Sequence, residues 1–176
     1  MIVGPSPLSL SVRAVEPADR DRVARLVASV EVFSAEEQAV ALELVDHQIA
    51  HPEATDYRFI FVAPAAPAPG SDELAGYLCY GRTPFTRSTY DLYWLATSPS
   101  HARSGVGRRL VDAMETEIAR RGGGLVRVET DSREGHGSAM QFYQAVGFEQ
   151  AVKIPEFYAP DDDLVIFMKR VGPPHG

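Results

Sequence analysis

The sequence contains only one cysteine, Cys79, and therefore cannot form an intramolecular disulfide. Small secreted domains are usually held together by several disulfides, so this scarcity favours a reducing compartment. Cys79 lies in an apolar, strand-like segment, which favours a buried structural thiol over a nucleophile. No basic signal-peptide region opens the chain, and no apolar run approaches the roughly 18 residues that a membrane span needs. These absences predict a soluble, cytoplasmic protein without a membrane partner.

An excess of positive charge is also missing. Lys and Arg together number 17 against 24 Asp and Glu, which gives a formal net charge of -7. A nucleic-acid partner is therefore not expected, and the charge mildly favours cationic partners such as amines. With 176 residues, of which 45% are hydrophobic, the chain can bury one core. We expect an N-terminal tail over 1–8, one domain over 9–170 and a C-terminal tail over 171–176.

The spacing of apolar residues predicts strands and helices in the order βααβββαβαββ. Leu8, Leu10 and Val12 alternate with polar residues, as in a half-buried strand. Ser34 and Glu37 have the spacing of a capping box at the start of the second helix. Strands are predicted over 8–15, 57–63, 74–80, 89–97, 125–130, 148–154 and 164–169, and helices over 17–30, 34–50, 105–121 and 138–145.

The predicted order indicates an α/β fold. The early hairpin implies antiparallel strand pairing, whereas the later strand–helix–strand alternation implies parallel pairing. We therefore expect a single mixed central sheet of about seven strands, with helices on both faces.

A glycine-containing turn, Arg103-Ser104-Gly105-Val106-Gly107-Arg108, joins the strand ending at Thr97 to the next helix. Glycines two residues apart let the backbone approach a ligand closely, and the unpaired amides of a first helical turn bind anions. Arg108 and Arg109 oppose the helix dipole, which is tolerated best when an anion lies nearby. Spacing alone also allows a simple tight turn with solvated arginines.

Two other phosphate-binding motifs fit this turn less well. A P-loop ends in Gly-Lys followed by Ser or Thr, and the sequence contains no Gly-Lys pair. A dinucleotide-binding fingerprint requires Gly or Ala where Leu110 stands, and its strand normally comes early in the fold. A nucleotide-binding protein is therefore only an alternative interpretation of the turn.

Two segments together resemble the GCN5-related N-acetyltransferase (GNAT) family. They are Tyr93-Trp94-Leu95-Ala96-Thr97, followed by Pro99 and the glycine turn, and Phe142-Tyr143-Gln144-Ala145-Val146-Gly147-Phe148 downstream. The predicted element order matches this family from about Leu8 to Lys169. The resemblance implies an N-acetyltransferase whose cosubstrate, acetyl-CoA, lies where two parallel central strands splay apart.

By the same resemblance, the coenzyme pyrophosphate binds the glycine turn and the pantetheine pairs with the preceding strand. The implied cofactor-binding residues are Leu95, Ala96, Thr97, Arg103, Ser104, Gly105, Val106, Gly107 and Arg108. Ala102 stands where the family usually has Gln or Arg, so backbone amides must supply most of the binding, with help from Arg103 or Arg108. No metal is expected, because the run Asp161-Asp162-Asp163 lacks EF-hand spacing and is typical of a solvated turn.

Acyl transfer from a thioester to an amine requires a neutral amine, a polarised carbonyl and protonation of the leaving thiolate. Tyr143 stands where many members of the resembled family carry a tyrosine that protonates the sulfur. The alternative for Tyr143 is a packed aromatic ring beside Phe142 and Phe148. The resemblance therefore makes Tyr143 the candidate general acid.

The candidate general base is Glu129. It shares one face of its strand with Arg127 and Asp131, a polar surface that is unusual for a central strand. Such a face would line the substrate side, where Glu129 could bind an ammonium group and accept its proton. The alternative is a salt bridge between Glu129 and Arg127, and Asp91 on the preceding strand is a second candidate base.

The sequence thus predicts transfer of an acetyl group from acetyl-CoA to the amine of a small molecule or amino acid, by direct attack. A peptide or protein amine as acceptor and a non-catalytic acyl-CoA-binding module are the alternatives. Because dimers are common in the resembled family, a homodimer is a possible assembly.

Overall fold

The computed structural model describes residues 7–66, 71–133 and 137–172 of the chain. Its strands are β1 (Leu8–Arg13), β2 (Arg58–Pro64), β3 (Gly76–Arg82), β4 (Thr89–Thr97), β5 (Gly124–Asp131), β6 (Glu149–Ala159) and β7 (Asp162–Val171). Its helices are α1 (Asp19–Ala28), α2 (Ala35–Ala50), α3 (Val106–Arg120) and α4 (Gly137–Ala145), and a short 3-10 turn spans Pro99–His101. The predicted tails, 1–8 and 171–176, lie largely outside the described residues.

The strands form one mixed sheet in the order β1-β2-β3-β4-β5-β7-β6. β4 and β5 are parallel, whereas β1 with β2, β2 with β3, β5 with β7 and β6 with β7 are antiparallel. The α/β class, the mixed seven-stranded sheet and the predicted element order are confirmed. No helix in the described parts of the chain is long and apolar enough to cross a membrane.

Most predicted elements differ from the observed ones only at their ends. α2 begins after Ser34, whose hydroxyl accepts a hydrogen bond from the Glu37 amide while the Glu37 carboxylate accepts one from the Ser34 amide, so the predicted capping box is confirmed. The predicted end of β6 at Ile154 is wrong, because the strand continues through Pro155 to Ala159. Since β6 is the outermost strand, the missing amide of Pro155 is not needed by a further neighbour.

The described residues form two compact units, one within the ranges 1–80 and 94–114 and the other within the ranges 81–93 and 115–176. In the first unit, the buried carboxylate of Asp19 on α1 pairs with Arg13 of β1 at 2.6 Å and with Arg22 at 3.1 Å. The pair with Arg13 attaches the first helix to the first strand, whereas the pair with Arg22 lies within α1. Cys79 on β3 is fully buried, as predicted, and burial raises the pKa of its thiol.

In the second unit, apolar residues of β5, α4, β7 and the segment between α4 and β6 make a core. Its buried members are Val126, Val128, Tyr143, Val146, Phe148, Leu164, Val165 and Phe167. Lys169 of β7 adds a polar contact, because its ammonium group donates both to the carboxylate of Glu115 on α3 and to the carbonyl oxygen of Val146. The second of these bonds fixes the C-terminal end of α4, the helix that carries Tyr143.

Candidate active site

The predicted glycine turn contains two residues with left-handed backbone conformations. Arg103 has a φ of 60° and Gly105 a φ of 81°. Glycine adopts this conformation freely, whereas a residue with a Cβ atom pays a steric cost. The Ser104 hydroxyl donates to the carbonyl oxygen of His101, which closes the backbone just before the helix. Glycine at position 105 therefore lets the chain enter α3 with a positive φ and without a steric cost.

The first turn of α3 has the features of an anion site. Its first helical hydrogen bond runs from the Arg109 amide to the Gly105 carbonyl oxygen at 3.0 Å. The amides of Val106 and Gly107 come before that bond, and a helix offers such amides no acceptor of its own. The first turn contains no acidic residue. Exposed backbone at Gly105 and the positive end of the helix dipole together favour a bound anion.

Gly76 of β3 allows the end of β4 and the start of α3 to lie close to the β3 backbone. A Cβ atom at position 76 would lie 2.8 Å from the carbonyl oxygen of Ala96 and 2.7 Å from Cγ1 of Val106, so a side chain there would displace the end of β4 or the start of α3. Sequence reasoning missed this residue. The one available signal was a glycine inside an otherwise apolar strand, which often marks a close backbone approach.

The predicted pantetheine strand is the end of β4. Ala96 is buried, whereas Leu95 and Thr97 are half-buried. Directly after it, the Ser98 amide donates to the Ala75 carbonyl oxygen at 2.9 Å, which fixes the point where the chain leaves the sheet. The strand is thus positioned immediately before the glycine turn.

The parallel ladder between β4 and β5 is short. In the described part of the chain it ends at the pair Asp91 and Arg127, although β4 continues to Thr97 and β5 to Asp131. An early end of this ladder agrees with the separation of parallel strands that the family resemblance implies.

A chain of charged contacts lies where this ladder ends. Arg127 Nε donates to Asp91 Oδ1 at 2.7 Å, and Arg127 Nη1 lies 3.3 Å from Glu129 Oε1. The second oxygen of Asp91 accepts a hydrogen bond from the Thr83 hydroxyl at 2.9 Å. The side chain of Asp91 is 8% exposed and that of Glu129 is 44% exposed. The salt bridge considered as the alternative for Glu129 is therefore present, but Arg127 makes its shorter contact with Asp91.

Tyr143, on α4, lies among aromatic rings. Its ring centroid is 5.5 Å from that of Phe142, 5.7 Å from that of Phe148 and 6.0 Å from that of Phe167. The packed environment expected from the alternative interpretation is thus present. Burial raises the pKa of Tyr143 because a buried phenolate would lose its hydration. The phenol therefore keeps its proton at physiological pH, as a general acid must.

The predicted site residues occur in separate parts of the structure. All predicted coenzyme-binding residues belong to one continuous strand–turn–helix segment of the first unit, from Leu95 to Arg108. Glu129 and Tyr143 both belong to the second unit. Among the described residues, Glu129 pairs with Arg127 and Tyr143 packs against aromatic rings, and no hydrogen bond joins the two. Their catalytic roles stay predictions.

The described ranges contain no group of three or more His, Cys, Asp and Glu side chains arranged to hold a metal ion. The helix start suits an anion, and proton transfer by Tyr143 and Glu129 stays a prediction.

Comparison with known proteins identifies similar sequences and folds. A family model described as the acetyltransferase (GNAT) family matches residues 24–148. A solved structure from Desulfovibrio desulfuricans, assigned to the GNAT family of acetyltransferases, is 36% identical with a TM-score of 0.84, and the alignment covers 94% of this chain and 100% of that chain. Among curated proteins, none matches this sequence.

Two more distant structures share the fold. An aminoglycoside 6′-N-acetyltransferase complexed with coenzyme A is 18% identical with a TM-score of 0.74, and the alignment covers 96% of this chain and 99% of that chain. The ribosomal-protein-S18-alanine N-acetyltransferase from Escherichia coli is 16% identical with a TM-score of 0.69, over 95% of this chain and 97% of that chain. At such low identity, these two likenesses establish the fold alone.

Proposed function

This chain belongs to the GNAT family of acetyltransferases, and we propose that it transfers the acetyl group of acetyl-CoA to the amine of a small molecule or amino acid. The observation that carries this proposal is the segment from Leu95 to Arg108, in which the left-handed Gly105 precedes the open first turn of α3. Such a helix start suits the pyrophosphate of a coenzyme. The proposed acetyltransferase domain spans residues 9–170.

In this proposal, backbone groups hold most of the coenzyme. The amides around Gly105 and Gly107 bind the pyrophosphate, and the exposed cations Arg103 and Arg108 add attraction for its negative charge. The pantetheine pairs with the backbone of residues 95–97, as a peptide pairs with a sheet edge. The coenzyme A bound to the aminoglycoside acetyltransferase of the same fold supports acetyl-CoA as the cosubstrate.

The transfer itself is a direct displacement. The amine nitrogen attacks the thioester carbonyl, the C–N bond forms, and the C–S bond breaks as the sulfur takes the proton of Tyr143. Because burial raises the pKa of Tyr143, the phenolate that results is short-lived and is reprotonated from the nitrogen, which becomes acidic once it has attacked. The phenol is thereby restored for the next turnover.

Glu129 prepares the acceptor. An amine arrives mainly as an ammonium ion at neutral pH, and it must lose a proton before it can attack. The half-exposed carboxylate of Glu129 attracts the ammonium ion and accepts this proton, directly or through one water molecule. The net charge of -7 also favours a cationic acceptor.

The acceptor class is proposed as a small amine. The names of the two distant relatives specify an aminoglycoside in one case and a ribosomal-protein alanine in the other. A peptide or protein amine is therefore the second candidate. A homodimer and a cytoplasmic location stay predictions, and sedimentation velocity of the full chain tests the first of them.

The proposal is tested by thiol release from acetyl-CoA with a panel of primary amines that includes diamines, amino-acid amides, aminoglycosides and basic peptides. We expect at least one class to accelerate release. Thermal unfolding with acetyl-CoA, ATP and NAD provides the independent check, because a bound ligand raises the melting temperature. Stabilisation by ATP or NAD without stabilisation by acetyl-CoA would contradict the proposal.

A further inference from the structure

We propose that Asp91 is a positioning residue: it holds the guanidinium group of Arg127 so that this group meets only one oxygen of Glu129 and leaves the other oxygen open to the ammonium group of the acceptor. This inference rests on the function proposed above. Asp91 and Arg127 face each other across the last pair of the parallel ladder. Arg127 is therefore reached from both sides, by Asp91 on the neighbouring strand and by Glu129 on its own strand.

The contact distances favour Asp91 as the main partner of the guanidinium group. Arg127 Nε is 2.7 Å from Asp91 Oδ1, a good charge-assisted hydrogen bond, whereas Arg127 Nη1 is 3.3 Å from Glu129 Oε1. The pKa of Arg127 is raised first of all by the hydrogen bond to Asp91, and the charge of Glu129 contributes less. The position of Arg127 is thus set mainly from β4.

Asp91 itself is unsuited to act on a substrate. It is buried, and its two oxygens are occupied by Arg127 and by the Thr83 hydroxyl. A carboxylate in this state is neither exposed nor short of hydrogen-bond donors. The second candidate base of the sequence analysis therefore acts through Arg127 and has no contact with the acceptor.

Glu129, in contrast to Asp91, is exposed to solvent. Its side chain is 44% exposed and meets the guanidinium group through one oxygen at 3.3 Å. Its cross-strand neighbour on β7 is the apolar Ile166. The other oxygen is left for an ammonium ion or for a water molecule that carries the proton.

Charge explains why Asp91 matters to Glu129. Asp91 compensates the positive charge of Arg127, so the three groups together keep one net negative charge, which is what attracts a cationic acceptor. If Asp91 became neutral, the best remaining partner of Arg127 would be Glu129, and a forked arginine–carboxylate pair would occupy both oxygens. The acceptor would then compete with an internal cation.

The test is a double-mutant cycle between Asp91 and Glu129, two residues that share Arg127 as a partner. The wild type, Asp91→Asn, Glu129→Gln and the double variant are compared by thiol release from acetyl-CoA, with the amine of the panel that reacts fastest. We expect each single variant to lower kcat/KM for the amine about 10-fold. The double variant should be no slower than Glu129→Gln, because the effect of Asp91 requires the carboxylate of Glu129.

The KM for acetyl-CoA is the internal control and should be the same in all four proteins. If the double variant is slower than Glu129→Gln by the full factor of Asp91→Asn, the two residues act independently and the positioning role is wrong. An unchanged rate in Asp91→Asn would also overturn it. If Glu129→Gln itself has no effect, the base assignment of the proposed function fails and this inference fails with it, whereas acetyl-CoA binding and amine turnover would still stand.

A milder variant keeps the inference testable if Asp91→Asn does not fold. Thr83→Val has nearly the same shape and removes only the hydroxyl that donates to Asp91 Oδ2. We expect it to lower kcat/KM for the amine about threefold in the wild type and not at all in the Glu129→Gln background. An equal decrease in both backgrounds would overturn the proposal.

Discussion

Gly76 and Ala96 approach each other so closely that a Cβ atom at position 76 would lie only 2.8 Å from the Ala96 carbonyl oxygen. No residue with a side chain permits this approach without a shift of backbone. Ala96 is in the middle of the proposed pantetheine strand, and Val106, which the same Cβ atom would meet, begins the helix proposed to bind the pyrophosphate. A residue outside the coenzyme segment thus decides where that segment lies.

Gly76→Ala should therefore impair both folding and coenzyme binding. The added methyl group meets a backbone oxygen that cannot move independently, so we expect the free energy of unfolding to fall by about 1–3 kcal/mol. Displacement of the β4 end should weaken acetyl-CoA binding about 10-fold. Urea denaturation and isothermal titration calorimetry measure the two effects.

The control is Gly124→Ala, where a Cβ atom would be crowded even more severely, by the carbonyl oxygen of Ser88. This site is outside the coenzyme segment. We expect an equal or larger loss of stability, with acetyl-CoA affinity changed by less than about threefold. An equal loss of affinity in both variants would mean that general destabilisation, and not the position of β4, is responsible.

Gly105→Ala tests the glycine turn. Gly105 has a φ of 81°, and a Cβ atom there would meet nothing within 4 Å, so the substitution acts through backbone strain alone. We expect a cost of about 1 kcal/mol in the free energy of unfolding and a several-fold weaker binding of acetyl-CoA, since relief of the strain rotates the binding amides. Calorimetric titration with acetyl-CoA measures the affinity.

Gly122→Ala is the control for that strain, because Gly122 also has a positive φ and open surroundings, at the other end of α3. It should lose a similar amount of stability and keep its affinity for acetyl-CoA. If Gly105→Ala also keeps its affinity, the turn does not bind the coenzyme through its backbone.

Arg103→Gly should separate stability from binding. Arg103 has a φ of 60°, so glycine relieves strain and should raise the free energy of unfolding by up to about 1 kcal/mol. Loss of the cation should weaken acetyl-CoA binding at low salt, and less so at high salt. Phe85→Gly, at an exposed residue with a φ of 63°, should gain stability without this change in binding. A salt-independent affinity in the wild type would contradict a role for the arginine charge.

Tyr143→Phe should lower kcat about 100-fold and leave the KM for acetyl-CoA nearly unchanged, because only the proton donor is removed. Tyr90→Phe is the matched control, since both tyrosines are 8% exposed. Thiol release under saturating substrates measures kcat. A kcat loss of the same size in the two variants would indicate a packing effect and not acid catalysis.

The pH dependence gives a second measurement on the same residue. Burial raises the pKa of Tyr143, so its proton is retained as the pH rises to the ordinary tyrosine value of about 10. We therefore expect kcat to depend on pH in the same way in the wild type and in Tyr143→Phe between about pH 7 and pH 10. The neutral buried phenol also contributes stability below about pH 10, and this contribution is lost at higher pH.

Local patterns in the sequence were enough to predict the secondary structure and the strand–turn–helix segment. The bounds of β4, Thr89–Thr97, agree at both ends, and the capping box of α2 is present, because both depend on neighbouring residues. The end of β6 was mispredicted because the effect of Pro155 depends on whether a further strand needs its amide, and the sheet order decides that.

The amino-acid sequence by itself determined the α/β class, the element order and a glycine turn suited to an anion, since periodicity and turn chemistry act over a few residues. Only the tertiary structure decided that Gly76 must be a glycine and that Asp91 is engaged by Arg127 and Thr83. These relationships join residues of different strands and a loop, and no local pattern specifies which side chains the sheet places opposite each other.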